Sequence, residues 1–463
     1  MKKIVVSIFL CMSCCCFIQA QNHLILSSSA VIFSKTAEQP VEVFTSFDKA
    51  NKMPERVQHL DLSNQRGLVF KAGTLNKMVN LRILKLYNTD LKSIPEDILT
   101  LQSLKEIDLG QNPFLNLSST FLALQKIPSL QKIALANNNL NQLPAEIGKI
   151  TQLTELDLRQ NNLEDLPNEF AHLQDLKFLY LQSNHFTNIP KEITKLKKLS
   201  TLDLYFNRLQ EIDVEIQKLS QLLFLNLSNN SLSTLPENFG EINHLERLDL
   251  SKNALLNVRS NFVVLARLSH LKYLNLADCG LSRLPDEIGL LKNLEELSLA
   301  SNGIAQLNGR ISALTSLKTL VLDKNRFNKL PQNLGQLTAL ENLHIASLPD
   351  LDWENTSKLI EKMTNLVFLN ISDNNIKSIP KAISKLSSLE ILHADNNQIN
   401  LIPDEFSNLF YLRKLSLSNN NLCSLPEILS EMPHLQQVII KGNDMTIEKI
   451  ERYKKNFTNI HIE

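Results

Sequence analysis

Tryptophan occurs once in this 463-residue chain, glycine 11 times and cysteine 6 times. Scarce glycine leaves little material for the loops that cradle phosphates in nucleotide-dependent enzymes. Beyond residue 20 there is no G-x-x-x-x-G-K-[ST], G-x-G-x-x-G, H-E-x-x-H, G-x-S-x-G or paired C-x-x-C pattern. Neither catalysis nor a cofactor is therefore expected. An excess of one charge is also missing: Lys+Arg and Asp+Glu are both 48. A protein that neutralises nucleic-acid phosphates needs surplus Lys and Arg, so no nucleic-acid partner is expected.

The cysteines are unevenly placed. Cys11, Cys14, Cys15 and Cys16 fall in the opening stretch "MKKIVVSIFLCMSCCCFIQAQ". Lys2 and Lys3 form its basic start, Ile4 to Ile18 its apolar middle, and Ala20 its small end. This reads as a cleavable export signal over residues 1–20, too short to be a spanning helix. A lipid anchor on Cys14, Cys15 or Cys16 lacks the leucine that the usual lipobox places three residues upstream. Only Cys279 and Cys423 remain, too far apart in the repeat array described next to form a disulfide. An exported chain without structural disulfides suits a bacterial envelope or secreted protein better than an animal ectodomain. The expected localisation is secreted, periplasmic or cell-surface, with no membrane span once the signal is removed.

What the chain has in abundance is a repeat. "LTELDLRQNNLEDLPNEFAHLQD" from Leu153, "LKFLYLQSNHFTNIPKEITKLKK" from Leu176 and "LLFLNLSNNSLSTLPENFGEINH" from Leu222 share one pattern, L-x-x-L-x-L-x-x-N-x-[LF]-x-x-[LI]-P-x-x-[IF], with a period of 23. Its register runs through 17 units from Val57 to the C-terminus. Units starting at Leu104, Leu245 and Leu340 run to 26 residues, lack the Leu-Pro step and carry longer apolar stretches such as "NFVVLARLSH". The chain thus divides into a signal (1–20), an N-terminal segment and cap (21–56), 16 repeats (57–434) and a last repeat with a C-terminal cap (435–463). "SFDKANKMPERV" reads as a capping helix ending near Pro54, while residues 21–45 carry no clear signal. At the other end, Ile447, Ile450, Tyr453 and Phe457 fall on one helical face. Only 29 residues follow from the start of the last repeat, which leaves no room for an appended catalytic domain.

This pattern resembles the leucine-rich repeats of the 23-residue LPxxI class, similar to Ras-pathway scaffold proteins and bacterial secreted proteins. The resemblance implies an α/β solenoid: a right-handed horseshoe with a concave parallel β-sheet and short helices or 3-10 turns on the convex side. The residues justify it, since one such unit is too short to bury its own leucines and must stack on neighbours. Leu176, Leu179, Leu181, Phe186, Ile189 and Ile193 should form the core, with Pro190 at a helix-opening position. The resemblance also implies a ladder of side-chain amides bonding the backbone of adjoining turns. It would run through Asn112, Asn138, Asn161, Asn184, Asn207, Asn230, Asn253, Asn302, Asn325, Asn374, Asn397, Asn420 and Asn443. Gln65, Thr89, Cys279 and Leu348 interrupt this ladder, and an irregular turn is expected near residues 345–353.

Within a strand, residues alternating with the leucines face the concave side. That places Phe178, Tyr180, Tyr205, Phe206 and Phe224 in one aromatic patch, with Arg159 and Tyr273 beside it. A protein or peptide ligand, or a glycan stacked on the tyrosines, would use such a patch. Cross-strand aromatic pairs also stabilise a sheet that binds nothing. An acidic row of Asp61, Asp108, Asp157, Asp203 and Asp249 crosses the same face, but Lys85, Lys132, Arg159 and Arg247 dilute it to the mixed charge of a solvated surface. His344 and His393 lie two units apart, about 9.6 Å by strand spacing, too far to share a metal ion. The expectation is an exported, non-enzymatic binding module. A scaffold inside the cell is the alternative if the signal is not used.

Overall fold

In the computed structural model, residues 42–463 are described, apart from Leu255 and Asn257. The expected export signal and its cysteines lie outside the described residues. From Val43 to Glu463 the chain is a solenoid of short strands, each of two or three residues, in one 19-stranded parallel sheet. Each strand pairs only with its sequence neighbours, in unbroken register: Glu155–Asp157 on Phe178–Tyr180, then Thr201–Asp203, then Phe224–Asn226. Leu176, Leu179, Leu181, Phe186 and Ile193 are fully buried and Ile189 nearly so. One hydrophobic core thus runs the length of the array.

Each strand of the repeats ends in a tight turn whose residue before the ladder position adopts a left-handed backbone, for example Ser183 at φ 56° and Asn229 at φ 54°. Convex segments are mostly single 3-10 turns opened by proline. Pro144, Pro167, Pro236 and Pro403 have φ between −65° and −70°, the value the pyrrolidine ring imposes, and need donate no hydrogen bond. Pro190 opens the turn of its unit, its carbonyl accepting from Ile193 N at 3.0 Å. In the three 26-residue units the extra residues convert this turn into an eight-residue α-helix: Leu117–Leu124, Val258–Leu265 and Trp353–Ile360. Asn116 and Asp352 cap two of these, accepting from Ser119 N and Asn355 N at 3.1 Å.

The amide ladder is visible bond by bond. Asn184 Nδ2 donates to Leu158 O and Leu181 O, both at 3.0 Å, and its Oδ1 accepts from Leu163 N at 3.0 Å. One carboxamide thereby satisfies buried backbone groups in two units. Thr89 Oγ1 donates to Leu86 O at 2.9 Å and Cys279 Sγ to Leu250 O at 3.2 Å, while Gln65 reaches Thr45 O instead. The turn at Leu348 is not irregular as expected. Ser347 keeps φ 55°, and the next rung closes the gap: Asn374 Oδ1 accepts from Leu348 N at 2.7 Å and its Nδ2 donates to Ile345 O at 2.8 Å.

Both ends of the array are covered. Ser46 caps the helix Phe47–Ala50, a 3-10 turn spans Pro54–Arg56, and the strand Val43–Phe44 pairs with His59–Leu60. This strand lies in the segment that carried no sequence signal. At the other end, the helix Ile447–Asn456 packs through Ile450, Tyr453 and Phe457, and the Tyr453 hydroxyl accepts from Leu425 N at 3.0 Å. Ile447, assigned to that face by spacing, is instead 79% exposed on the first turn. No helix among the described residues is long and apolar enough to cross a membrane.

Candidate functional site

Three rows of side chains line the concave face: those before and after the central leucine of each strand, and those after the leucine that follows. Register places Phe178, Thr201 and Phe224 along the first row, and Tyr180, Asp203 and Asn226 along the second. Phe178, Tyr180 and Phe224 are half-buried, and Thr201 between the two phenylalanines is buried. Tyr205 lies in the third row, 37% exposed, with its ring 6.0 Å from that of Phe206.

One member of the expected patch and one residue expected beside it sit differently from their assignment. Phe206 is one residue beyond the third row, in the left-handed turn at φ 55°, where it borders the sheet and is 54% exposed. Tyr273 is only 6% exposed, because the Arg247 guanidinium lies 4.3 Å above its ring. Such cation–π cover depends on a side-chain rotamer and cannot be read from register. Arg159 folds back onto Asp157, with Nε at 2.8 Å and Nη2 at 2.6 Å from Oδ2, and its guanidinium stands 6.0 Å from the Tyr180 ring.

The acidic row has a structural cause rather than a solvated one. The backbone N–H two residues after each second-row position faces the concave side. Asp61, Asp108, Asp157, Asp203 and Asp249 accept it, from Ser63, Gly110, Arg159, Tyr205 and Ser251 at 2.9–3.1 Å. Asn226, Asn275 and Asn370 do the same for their units. Aspartate recurs here because a short acceptor side chain satisfies its own turn. Burial raises the Asp108, Asp203 and Asp249 carboxyls, Asp203 to about 6.

Towards the C-terminus the acceptor changes rows. Asp323 Oδ1 accepts from Ala346 N at 2.6 Å, Ser372 Oγ from Asp395 N at 3.1 Å, and Asp395 Oδ1 from Ser418 N at 2.7 Å. This frees the second-row positions of His344 and His393, while Asn370 between them still serves its own turn. Phe368 is inserted between them, 4.6 Å from one imidazole and 5.2 Å from the other, so the histidines flank a ring. Among the described residues no group of three or more His, Cys, Asp or Glu is arranged to hold a metal ion.

Asp323 sits between Ala300 and Ala346 in its row, and burial pushes its carboxyl up to about 7, whereas burial and then His393 hold His344 down to about 4. From about pH 4 to 7 the folded chain keeps a proton on Asp323 that the unfolded chain has lost, so this group weakens stability as pH rises. His344 has the opposite sign, taking up its proton in the unfolded chain first and weakening stability as pH falls from 6.5 to 4. Asp323→Asn keeps an acceptor for Ala346 N and removes the buried charge. It should raise stability at pH 8 by up to about 4 kcal/mol and by little at pH 4, measured by urea unfolding at both pH values. An equal gain at both would show that charge is not the cause.

Comparison with known proteins agrees with this geometry. A model described as "Leucine-rich repeat region" matches residues 124–206, 171–264 and 248–367, and one described as "Leucine Rich Repeat" matches 365–386, 388–409 and 411–432. The leucine-rich-repeat protein LIC12759 of Leptospira interrogans is 30% identical over 91% of this chain and 99% of that one, with a TM-score of 0.60. The ectodomain of the plant receptor kinase GASSHO1/SCHENGEN3 of Arabidopsis thaliana, solved with CASPARIAN STRIP INTEGRITY FACTOR 2, is 25% identical over 87% of this chain and 52% of that one (TM-score 0.54). Among curated proteins, the volume-regulated anion channel subunit LRRC8B of Mus musculus is 37% identical over 90 residues, 19% of this chain and 11% of that protein. These matches accord with the leucine register and the parallel sheet described above, and the chain belongs to the leucine-rich-repeat family.

Proposed function

We propose that this protein is an exported, non-enzymatic binding module that holds a protein or peptide ligand on its concave sheet. Leucine-rich-repeat chains are protein-interaction modules, and this one offers a preformed surface that loses little ordering entropy on binding. The observation that carries the reading is the exposed Tyr205–Phe206 pair beside the half-buried Phe178, Tyr180 and Phe224 on a rigid sheet. The receptor-kinase ectodomain, solved with its protein factor, is a similar chain with a bound partner.

Affinity capture from envelope and host extracts tests it. The bait is the protein, in parallel with a variant carrying serine at Phe178, Tyr180, Tyr205, Phe206 and Phe224, shown by circular dichroism to be folded. The expected outcome is a partner kept by the first and lost, at least tenfold, by the second. Equal capture would move the site off the central concave face. Glycan recognition is the second reading, favoured by the exposed Tyr205 ring, and a glycan array separates the two.

A further inference from the structure

The charges around the aromatic patch are already closed on one another. Asp157 holds Arg159; Asp203 accepts from Gln182 Nε2 at 2.8 Å as well as from Tyr205 N. Asp249 accepts from Ser251 Oγ at 2.7 Å and Asn275 Nδ2 at 3.0 Å. Lys132 lies 3.1 Å from Glu155 and 3.7 Å from Glu106, and Arg247 covers Tyr273. A charged ligand would have to break these contacts to form its own, so charge complementarity favours an uncharged one.

Two further observations point to a ligand at this place. Gln182 lies in the third row between Arg159 and Tyr205. Its Nε2 is engaged with Asp203, but its buried Oε1 has no hydrogen-bond partner among the described residues. A buried carbonyl left without a donor costs about 1–3 kcal/mol. Phe206 is the second. At the equivalent left-handed position the other units carry Asn, Gln, Ser, Lys, Asp or Gly, and a bulky side chain with positive φ is strained by about 1–2 kcal/mol. The strain displays an aromatic ring beside Tyr205.

We infer that the central concave site takes an uncharged, extended peptide segment, its aromatic or aliphatic side chains packed between the Tyr205–Phe206 pair and Phe178, Tyr180 and Phe224, with the Gln182 side chain turned so that its Oε1, buried in the free protein, accepts a ligand N–H. This rests on the concave-face reading above and adds the ligand's chemistry. Binding through closed charges and apolar area should be nearly independent of salt.

The test is to pan a phage-displayed random 12-residue peptide library on the purified protein at 50 and 500 mM NaCl. Two variants are run beside it: Phe206→Asn, which suits the left-handed turn and should fold at least as well, and Gln182→Leu. Expected are neutral peptides rich in Phe, Tyr, Leu or Val, whose Kd changes less than twofold with salt. Phe206→Asn and Gln182→Leu should each weaken them about tenfold. Selection of Lys/Arg- or Asp/Glu-rich peptides that need Phe206 and lose affinity tenfold in high salt would overturn the uncharged ligand and leave the concave site standing. Neutral peptides indifferent to both variants would overturn the inference and move the site off the central concave face; no selected peptide at all would overturn it together with the peptide-binding reading. Glycan-array binding that depends on Phe206, without peptide selection, would overturn the ligand class alone.

Discussion

Asn253→Leu should cost about 3 kcal/mol. Asn253 is fully buried, and its Nδ2 donates to Leu250 O at 2.8 Å, Leu227 O at 3.1 Å and Ser251 O at 3.3 Å, while Oδ1 accepts from Leu232 N at 3.0 Å. Leu227 O would keep Asn230 Nδ2 at 2.9 Å, but Leu250 O would retain only the weak Cys279 thiol donor. Leu232 N would lose its carboxamide acceptor altogether. Leaving one buried group unpaired and another poorly paired accounts for the figure, at about 1–3 kcal/mol per group. Leucine is the informative replacement because it occupies the same position naturally at residue 348, so the shape is tolerated. There the following rung is an asparagine that takes over Ile345 O, whereas after Asn253 it is a cysteine. Urea unfolding would read the loss, and Cys279→Asn in the Asn253→Leu background should recover part of it. No recovery would mean that the ladder acts by shape rather than by hydrogen bonding.

Gly148→Ala is expected to be comparably damaging for a different reason. Gly148 lies in the 3-10 turn Ala145–Lys149, packed against the turn Asn168–His172 of the next unit. A Cβ there would stand 2.2 Å from Glu169 O and 2.7 Å from Glu169 Cβ. The first of these is a backbone atom, so relief requires the two units to separate. Overpacking of this kind costs about 1–3 kcal/mol and sometimes more, and the upper end applies where no side chain can swing aside. Gly303→Ala is the control. Its added Cβ would meet only Leu281 O at 3.6 Å, an ordinary contact, so the Gly303→Ala change in urea midpoint should be small. Equal effects of the two would show that backbone entropy, not the clash, is being measured.

The leucine register made the core legible because buried positions of a stacked unit tolerate only apolar side chains of the right size. Pro167 and its equivalents marked where convex turns begin, since proline has few other places to stand. The three α-helices of the 26-residue units were not legible: lengthened apolar runs such as "NFVVLARLSH" fit a buried loop as well as a helix. The acidic row was seen, but its cause was missed. A signal existed in the constant two-residue offset between each aspartate and the turn N–H it accepts from, which periodicity alone does not reveal. The cover over Tyr273 was not legible, since nothing in alternation predicts that Arg247 will lie across its ring. Gln182 was overlooked, although its register between Arg159 and Tyr205 was available. Patterns repeating every 23 residues report what the fold demands; single departures such as Phe206 report something else, and only the backbone angle showed which departure was strained.

Because every strand pairs with its sequence neighbours alone, no part of this solenoid waits for a distant segment to arrive. Its contact order is low in spite of a fully parallel sheet, an architecture that ordinarily folds slowly because it closes long loops. A unit emerging from the ribosome needs only the units before it as a template. The chain can therefore be built up in order of synthesis, one stacked layer at a time.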